Sequence, residues 1–523
     1  MISRSGSDFD VVLITAEYYD DHPLSPAGVI ARVLDSKGYS VGIIEKPKSD
    51  EDFARLGRPR LFFGVTSGSI DSMLNNYTPL KKERAADEFS RASAMPNRAV
   101  IVYCNGIKKS FKDTPIVLGG IEASLRRFAH YDYWDNNLRR SIMYDSRADL
   151  LVYGNGEKQV LEIADRISRG EDTSKIPGTC EISKTLPEGY KLLPSFTEVV
   201  ADKTAFCKMQ TGFSNQHNLA QEYNNNYLLQ HKSPVYTPDD LDWIYSLNFT
   251  RTLHPESHLK MARFSVVTHR GCIGACSFCS ISLHQGGYII SRSEKSILEE
   301  IEKLTAHPDF RGKIDDLGGP SANMYGMDCE KRCGKSCLDC KSLDRSHKRL
   351  IALMKKARSI KGVKKIFVRS GIRYDLAVES EEYVRELTRH HVSGTLKIAP
   401  EHFSKKVLKL MNKDRPGLEE FQKMFNRFNP KSGQSLRYYL MIGHPGDDLR
   451  EVEYLCQRIE GLENVEHFQL FTPTPMSVSS CMYWTGLNPY TLKPVKVVYD
   501  YHMKKQLKRR MLKAIEKSKQ HHR

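Results

Sequence analysis

The sequence predicts an α/β protein in two parts, an N-terminal doubly wound parallel sheet followed by a partial barrel of six β/α units. Short runs rich in β-branched residues alternate with helical stretches, which is typical of parallel sheets covered by helices. Glycines stand where several runs end, and the 523-residue chain is too long for one ordinary core. We expect a sheet domain at 8–170, a connector at 171–260, a barrel at 261–480 with a cysteine-rich insertion at 329–340, and a basic extension at 481–523.

The N-terminal part is predicted from its buried-strand runs. In chain order these are VVLITA, YSVGII, RLFFGV, AVIVYC, PIVLGG and DLLVYG, with a helix at 27–36 after the first. The glycines at 119–120 and 154–156 follow the last two runs. They predict a ligand crevice at the carboxyl ends of the strands.

Periodicity weakens between 171 and 260, where the Asn- and Gln-rich run QEYNNNYLLQHKSP is typical of a connector. Strand character returns at 264–268, directly before a group of cysteines. Further strands are predicted at 314–317, 365–369, 395–398, 437–442 and 466–471. Six strands with helices between them suit a partial β/α barrel.

Composition and the N-terminus argue against a membrane-spanning or secreted chain. No apolar run approaches the roughly 20 residues that cross a bilayer. The start MISRSGSDFD leads into a strand run and lacks the longer apolar region of a signal peptide. Seven of the twelve cysteines fall in two short clusters, which favours metal binding over disulfides. We therefore expect a cytoplasmic metal-binding protein without membrane contact.

The end of the chain is strongly basic. Net charge is +16, and 501–523 contains nine Lys and Arg against the single Glu516. Apolar residues recur there at four-residue steps, at Met503, Leu507, Met511 and Ile515, which predicts an amphipathic helix. The pattern favours a solvated helix docked on the body over binding to nucleic acid or a membrane surface.

The first cysteine cluster lies in GCIGACSFCS. Cys272, Cys276 and Cys279 follow the spacing C-x3-C-x2-C, which lets one short loop wrap an iron–sulfur cube. A [4Fe–4S] cluster has four irons, and the next cysteine along the chain is Cys329. One iron would therefore stay open for an exchangeable ligand. A zinc site and buried thiols are weaker alternatives, because a strand leads directly into the loop.

The second cluster, DCEKRCGKSCLDC, has the spacing C-x3-C-x3-C-x2-C. Its cysteines are Cys329, Cys333, Cys337 and Cys340. Four thiols can close a tetrahedral zinc site or fully ligate a [4Fe–4S] cluster, and the spacing leaves both open. Lys331, Arg332 and Lys335 would offset part of the thiolate charge. A group of free thiols is the third alternative.

The first loop resembles the cluster motif of the radical S-adenosylmethionine (SAM) superfamily. That resemblance implies that the amine and carboxylate of SAM chelate the open iron. It also implies that an electron from the reduced cluster cleaves SAM, and that the resulting 5′-deoxyadenosyl radical abstracts hydrogen from a substrate. An electron donor such as flavodoxin or ferredoxin would supply the electron.

Two glycine pairs extend the resemblance. LGGPSANMYG places Gly318 and Gly319 where superfamily backbone holds the methionine amine, although proline follows here instead of the usual acid. LMIGHPGDD places Gly443 and Gly446 where backbone would approach the adenine.

Nearly the whole chain is similar to the YgiQ-type family of radical SAM proteins, through CSFCSISLHQGG, GGPSANMYG, KIAPEH and FTPTPMSVSSCMYWTG. Its N-terminal runs resemble the cobalamin-binding domain of one branch of radical SAM enzymes. That domain's signature is D-x-H-x-x-G. Asp20 and His22 fit it, but Ser25 replaces the glycine and Gly28 comes three residues late. The departure favours an ordinary loop histidine over a cobalt ligand.

Three functions stay open. The preferred one is a radical SAM enzyme acting on an unknown substrate. The second is an RNA methyl- or methylthio-transferase of the radical SAM type, favoured by the basic tail and by the similarity of FTPTP to the sixth strand of such enzymes. The third is a non-catalytic iron or zinc protein that binds nucleic acid through its tail.

Overall fold

The structure, a computed structural model, describes residues 1–84, 95–334, 336–429, 433–462, 464–465 and 467–521. Lys335, expected to offset thiolate charge, and Glu466, the expected start of a strand, lie outside the described residues, as do 522–523. The chain divides into two compact units. The sheet unit comprises Met1–Val235, Leu247–Lys260 and Thr472–Lys493, and the barrel unit comprises Tyr236–Ser246, Met261–Phe471 and Pro494–Arg523.

The described strands of the sheet unit form one mixed sheet and a small hairpin, His130–Asp132 with Asn137–Arg139. In spatial order the sheet contains Ile2–Ser3, Val41–Glu45, Val11–Thr15, Phe62–Thr66, Ile116–Leu118, Leu150–Val152, Thr179–Ser183, Asn226–Gln230, Leu219–Tyr223 and Lys191–Leu193. From the first of these to Leu150–Val152, neighbouring strands pair in parallel. Apart from the short edge strand, they follow the 2-1-3-4-5 order of a doubly wound sheet. The predicted fold class is confirmed.

Helices flank these strands. They are Pro26–Asp35, Asp50–Ala54, Ser72–Asn76, Ala99–Ser110, Gly120–Ser124, Ile142–Ser146, Glu157–Ser168, Phe196–Ala201, Lys203–Gly212 and Val478–Thr485. The first begins at the N-cap Ser25, whose hydroxyl accepts the Gly28 N–H, with proline in the first turn. Ser25 therefore has a local structural reason to replace the glycine of the cobalamin signature.

The run AVIVYC is wrong as a strand, because it lies in the helix Ala99–Ser110. Val100, Tyr103 and Ile107 are buried at helical spacing, whereas Val102 is 44% exposed. The run is apolar at every position, so its composition hides the period of 3.6 that would have identified a helix.

The range expected as a connector is also different, because part of it extends the sheet. Leu219–Tyr223 and Asn226–Gln230 form a hairpin around a two-residue turn, where Asn224 has a φ of 54°. Gln221 and Gln230 point inward and are fully buried. Gln230 accepts a hydrogen bond from the Arg127 guanidinium and donates to the carbonyl of Ser214. Because glutamines stand at buried positions here, the sequence lacks the apolar alternation that predicts a strand.

The barrel strands pair in parallel in chain order, as predicted. They are Val266–Val267, Lys313–Ile314, Leu317–Gly318, Lys365–Ile366, Thr395–Glu401, Ser435–Ile442 and His467–Leu470, and the short pair His269–Arg270 with Ile290–Ser291 lies beside the first. A parallel bridge between Ile372 and Ile398 links the third strand position to the fourth. The carboxyl ends of parallel strands share one edge, where active sites of β/α folds are built.

Helices cover the outside of the barrel strands. They are Pro238–Ser246, Ile281–Gln285, Glu294–Thr305, Lys348–Ser359, Tyr374–Ala377, Glu381–His390, Lys405–Leu410, Leu418–Phe428, Leu449–Ile459 and Tyr501–His521, with 3-10 turns at Ala322–Met324 and Cys337–Asp339. A further 3-10 turn, His258–Ala262, lies where the chain passes from the sheet unit to the barrel unit. In the part of the chain that the structure describes, no helix is both long enough and apolar enough to span a bilayer.

The predicted amphipathic helix of the tail is confirmed as Tyr501–His521. Leu507, Met511 and Ile515 are buried, and the helix packs against Leu449–Ile459. Arg510 pairs with Glu453 at 2.6 Å. Docking therefore uses the apolar stripe and leaves the opposite, basic face to solvent.

Candidate active site

The three cysteines of the first cluster lie on the loop 271–279, here called the cluster loop. It follows the strand residues His269–Arg270 and precedes the helix Ile281–Gln285. Gly271 has a φ of 85°, and a β-carbon there would overlap the carbonyl oxygen of Tyr288. A β-carbon at Gly274 would lie 2.7 Å from the Arg373 guanidinium. A β-carbon would therefore be strained at position 271 and would crowd Arg373 at position 274.

Two other segments, 286–288 and 411–415, hold the cluster loop and are called the clamp segments below. The Cys272 N–H donates to the carbonyl of Gly286 at 3.1 Å. The Ser277 N–H donates to the carbonyl of Met411 at 2.9 Å, and the Asn412 amide donates to the carbonyl of Ala275 at 3.0 Å. The loop conformation is thus secured by protein contacts.

The thiols of the cluster loop influence one another. Burial raises the pKa of Cys279 to about 12, and Cys276 and Cys272 add to the rise. Burial also raises the pKa of Cys272, while Arg373 and Lys413 act to lower it. Iron binding requires thiolates, so it must displace protons here and becomes more favourable as pH rises.

Arg373 places a buried positive charge beside the thiols. Its guanidinium lies 3.7 Å from the sulfur of Cys276 and pairs with Asp375 at 2.6 Å. Burial lowers the pKa of Arg373, but Asp375, Cys276 and Cys272 raise it more, so the group stays charged. The side-chain amide of Asn323 accepts the Arg373 N–H and donates to its carbonyl. These contacts hold the charge in place beside the sulfur of Cys276.

Replacing Arg373 by glutamine is expected to lower the free energy of unfolding by about 3–5 kcal/mol, because Asp375 loses its countercharge while buried. In urea titrations, the double variant R373Q/D375N should recover part of the loss. The control is Arg385→Gln, whose more exposed pair with Glu381 is expected to contribute at most about 1 kcal/mol. Equal losses of unfolding free energy in R373Q and R385Q would show that the buried ion pair stabilises the protein no more than the exposed one.

Gly318 and Gly319 lie at the end of the second barrel strand position, close to the cluster loop's own strand. The Gly318 carbonyl accepts both the N–H and the hydroxyl of Thr268. The ring of the buried His269 occupies the space beside Gly319, 2.6 Å from where its β-carbon would be. Close packing thus requires these two glycines. A contact between a backbone carbonyl and the SAM amine stays a prediction. Gly319 suits this contact better than Gly318, because the Gly318 carbonyl already accepts two hydrogen bonds from Thr268.

Gly443 and Gly446 follow the fifth strand position with φ values of 73° and 94°. A β-carbon at Gly443 would lie 2.8 Å from Leu470, and one at Gly446 would overlap Leu410. The turn and the packing require glycine at both positions. Approach to the adenine therefore stays a prediction and is not needed to explain these residues.

Two buried histidines follow the fourth and fifth strand positions, at the same barrel edge. His402 and Asp447 are fully buried, with 3.7 Å between Nε2 and the carboxylate. His444 packs against Phe278 of the cluster loop and against Phe471. Burial lowers the pKa of His444 to about 3, so its ring is uncharged at neutral pH. Phe278, which directly precedes Cys279, therefore packs on a neutral ring.

The second cysteine cluster lies on a loop described at 329–334 and 336–340, here called the four-cysteine loop. Cys333 is exposed, and the other three thiols are partly buried. Burial raises the pKa of Cys337, and the negative charges of Cys329, Cys333 and Cys340 raise it further. The four thiols are therefore near one another. Among the residues that the structure describes, no three His, Cys, Asp or Glu side chains are grouped as one metal ion requires.

The residues that match the cobalamin signature lie in the sheet unit, on a loop held by hydrogen bonds. His22 is fully buried, and its Nδ1 accepts the Leu24 N–H. The Arg251 guanidinium lies 3.1 Å from its Nε2. Asp20 accepts hydrogen bonds from the His254 N–H and the Ser257 hydroxyl. The Leu24 N–H thus occupies the lone pair of Nδ1, and Arg251 lies against Nε2.

Sequence reasoning missed the groups that surround the cluster loop. Arg373, Lys413 and Tyr288 lie 9 to 134 positions from the nearest cysteine of that loop, in segments without a recognisable motif. A single sequence carries no signal that brings such distant residues together. Only the cysteine spacing and the loop glycines were visible.

Two family models match the chain. The model described as "Radical SAM N-terminal" matches residues 1–268, and the one described as "Radical SAM superfamily" matches residues 266–459. Among similar proteins, the UPF0313 protein of Methanosarcina acetivorans is 45% identical, over 95% of this chain and 75% of that protein. The UPF0313 protein of Methanocaldococcus jannaschii is 44% identical, over 95% of this chain and 88% of that protein.

Solved structures share the fold at low identity. The radical SAM methyltransferase TsrM from Kitasatospora setae, with tryptophan and a SAM analogue bound, has a TM-score of 0.53 at 16% identity, over 92% of this chain and 77% of that one. The cobalamin-dependent radical SAM enzyme OxsB, with aqua-cobalamin bound, has a TM-score of 0.51 at 11% identity, over 90% of this chain and 55% of that one.

Proposed function

This chain belongs to the UPF0313, or YgiQ-type, family of radical SAM proteins, and from that membership we propose that Cys272, Cys276 and Cys279 hold a [4Fe–4S] cluster at which SAM is cleaved reductively. The protein is a radical SAM enzyme whose reaction on a substrate is unassigned. The observation that carries the proposal is the cluster loop itself, with three neighbouring thiols and a buried guanidinium 3.7 Å from one of them. The donor set fits an iron–sulfur cluster with one open iron.

When bound, such a cluster supplies the electron that splits SAM and an iron to which the methionine end of SAM can attach. The chain's own residues hold and balance it. The three thiolates bind iron, and Arg373 and Lys413 offset their negative charge. Gly319 would offer its carbonyl to the SAM amine, and Gly443 and Gly446 border the region expected for the adenine. The neutral ring of His444 adds no charge to the site at neutral pH.

An anaerobic reconstitution tests the proposal. The protein is loaded with iron and sulfide, mixed with dithionite and SAM, and assayed for 5′-deoxyadenosine by chromatography. We expect 5′-deoxyadenosine only when both the reductant and the iron are present. A protein that shows the absorbance of a [4Fe–4S] cluster and leaves SAM intact would contradict the proposed activity.

RNA as a substrate is the second candidate, and one observation favours it. After the tail helix docks, Lys508, Arg509, Lys513 and Lys517 remain exposed on its outer face. The triple reversal R509E/K513E/K517E should weaken binding to bulk RNA and lower the salt dependence of the affinity by about 3 in slope. The control K295E/K423E changes exposed lysines elsewhere on the barrel unit. Equal effects of the two variants would remove the argument for RNA.

We propose further that His22 is a structural residue and does not ligate cobalt. Its two ring nitrogens face Leu24 and Arg251, which supports this assignment. The expected result is equal affinity of wild type and His22→Ala for hydroxocobalamin, followed by absorbance, with circular dichroism to confirm folding. A folded His22→Ala protein with strongly reduced affinity would identify His22 as a ligand.

A further inference from the structure

We propose that the four-cysteine loop holds a second [4Fe–4S] cluster and that electrons enter the protein there from an acidic one-electron carrier protein. The ligands would be Cys329, Cys333, Cys337 and Cys340. This inference rests on the proposed function, because the destination of the electrons is the cluster loop. Four thiolates ligate every iron of a cube, so this cluster would have no open position and could transfer electrons only.

Hydrogen bonds within the protein hold the four-cysteine loop. The Arg345 guanidinium donates to the carbonyls of Leu338 and Cys340. The Cys340 N–H donates to the carbonyl of Cys337 at 3.1 Å. Four thiolates can hold either zinc or a [4Fe–4S] cube. The contacts that join this loop to the cluster loop favour the cube, because zinc cannot transfer electrons.

The two loops share one apolar cluster of side chains. Ile273, which lies between two cysteines of the cluster loop, packs in it together with Leu338, which lies between two cysteines of the four-cysteine loop. Met324 and Met327 complete the contact, and Cys272 and Cys337 both pack against the cluster's edge. One buried apolar cluster thus lies between ligand residues of the two sites.

The clamp segments also connect the two loops. Tyr288 has its carbonyl oxygen against Gly271 of the cluster loop and its hydroxyl on the four-cysteine loop. That hydroxyl donates to the carbonyl of Arg332 and accepts the Gly334 N–H, each at 3.2 Å. The other clamp segment bonds the cluster loop through Met411 and pairs with Asp339 through Arg415. Each clamp segment therefore touches both loops, which fixes their separation.

The outer side of the four-cysteine loop faces solvent and is basic. Cys333, Lys331 and Lys341 are exposed, and residues 328–349 contain seven Lys and Arg against four Asp and Glu. A basic rim around a solvent-accessible redox group attracts an acidic partner and speeds its encounter. One electron leaves the carrier, which is oxidised by one electron, and one electron reaches the first cluster. No bond or proton changes in the transfer.

Iron content tests the ligands. Wild type should hold about eight irons per chain, and the variants C272A/C276A/C279A and C329S/C333S/C337S/C340S about four each. The triple variant should also keep an electron paramagnetic resonance signal from the second cluster. If wild type holds about four irons that the triple variant loses entirely, only this inference fails. If the triple variant keeps all its iron, the proposed function fails.

Electron entry is tested with reduced flavodoxin, followed by bleaching of cluster absorbance in stopped flow. Lys331→Glu with Lys341→Glu should slow reduction at low salt by about tenfold or more, with a smaller difference at high salt. The control Lys295→Glu with Lys423→Glu should leave the rate near that of wild type. The quadruple cysteine variant should lower the ratio of flavodoxin-driven to dithionite-driven 5′-deoxyadenosine formation. A quadruple variant that loses zinc instead of iron, or one reduced by flavodoxin as fast as wild type, overturns the proposal.

Discussion

Replacing Cys276 with alanine is expected to abolish 5′-deoxyadenosine formation and to remove about four irons per chain. Two thiols remain on the cluster loop, and they cannot hold a cube that already has one open iron. Cys276 is also the thiol that Arg373 contacts, so the variant leaves the buried guanidinium without its sulfur partner. Iron analysis, electron paramagnetic resonance and chromatography of the SAM products measure the loss.

The matched control is Cys456→Ala, which changes a half-buried cysteine on the helix Leu449–Ile459. Iron content and SAM cleavage should stay at the wild-type level in that variant. An active Cys276→Ala protein with its full iron content would place the cluster elsewhere in the molecule.

Replacing Gly271 with alanine should prevent the cluster loop from closing. At a φ of 85° an L-residue is destabilised by about 1–2 kcal/mol, and the new methyl group would also overlap the Tyr288 carbonyl. That carbonyl belongs to the backbone of a clamp segment and cannot rotate away. We expect the free energy of unfolding to fall by about 3 kcal/mol or more, with loss of iron after reconstitution.

Gly286 provides the comparison, because it also has a positive φ, of 100°, and a β-carbon there would meet no atom within 4 Å. Gly286→Ala should therefore show the conformational cost alone. Urea titration and iron analysis of both variants separate the two effects. Equal losses would mean that the contact with Tyr288 is unimportant.

Structural features that depend on one short segment of the chain could be predicted from the local sequence pattern. Cys272, Cys276 and Cys279 could be recognised because a cluster-binding loop needs its ligands within a few residues. The parallel strands could be recognised because burial on both faces leaves continuous apolar runs, as at Val11–Thr15. The fold class and the family follow from such signals.

Features that depend on distant contacts could not be predicted. Nothing near Arg373 in the sequence indicates that its guanidinium reaches Cys276, since 97 positions separate the two residues. The hairpin with Gln221 and Gln230 was missed for a related reason, because the groups that satisfy these buried amides come from other parts of the chain. The helix Ala99–Ser110 was predicted as a strand for a different reason. Its continuous apolar run fits both the period of a strand and the period of a helix.

The hydrogen bonds from the clamp segments to the cluster loop have a consequence for how the metal centre is assembled and repaired. A zinc finger is unfolded until its metal arrives, so metal loss and unfolding are the same event. Here Gly286, Met411 and Asn412 hold the loop through contacts that involve no sulfur. A molecule whose cluster is destroyed by oxygen would thus keep the conformation of the cluster loop. Rebuilding the cluster would then require only iron and sulfide, because the chain is already folded.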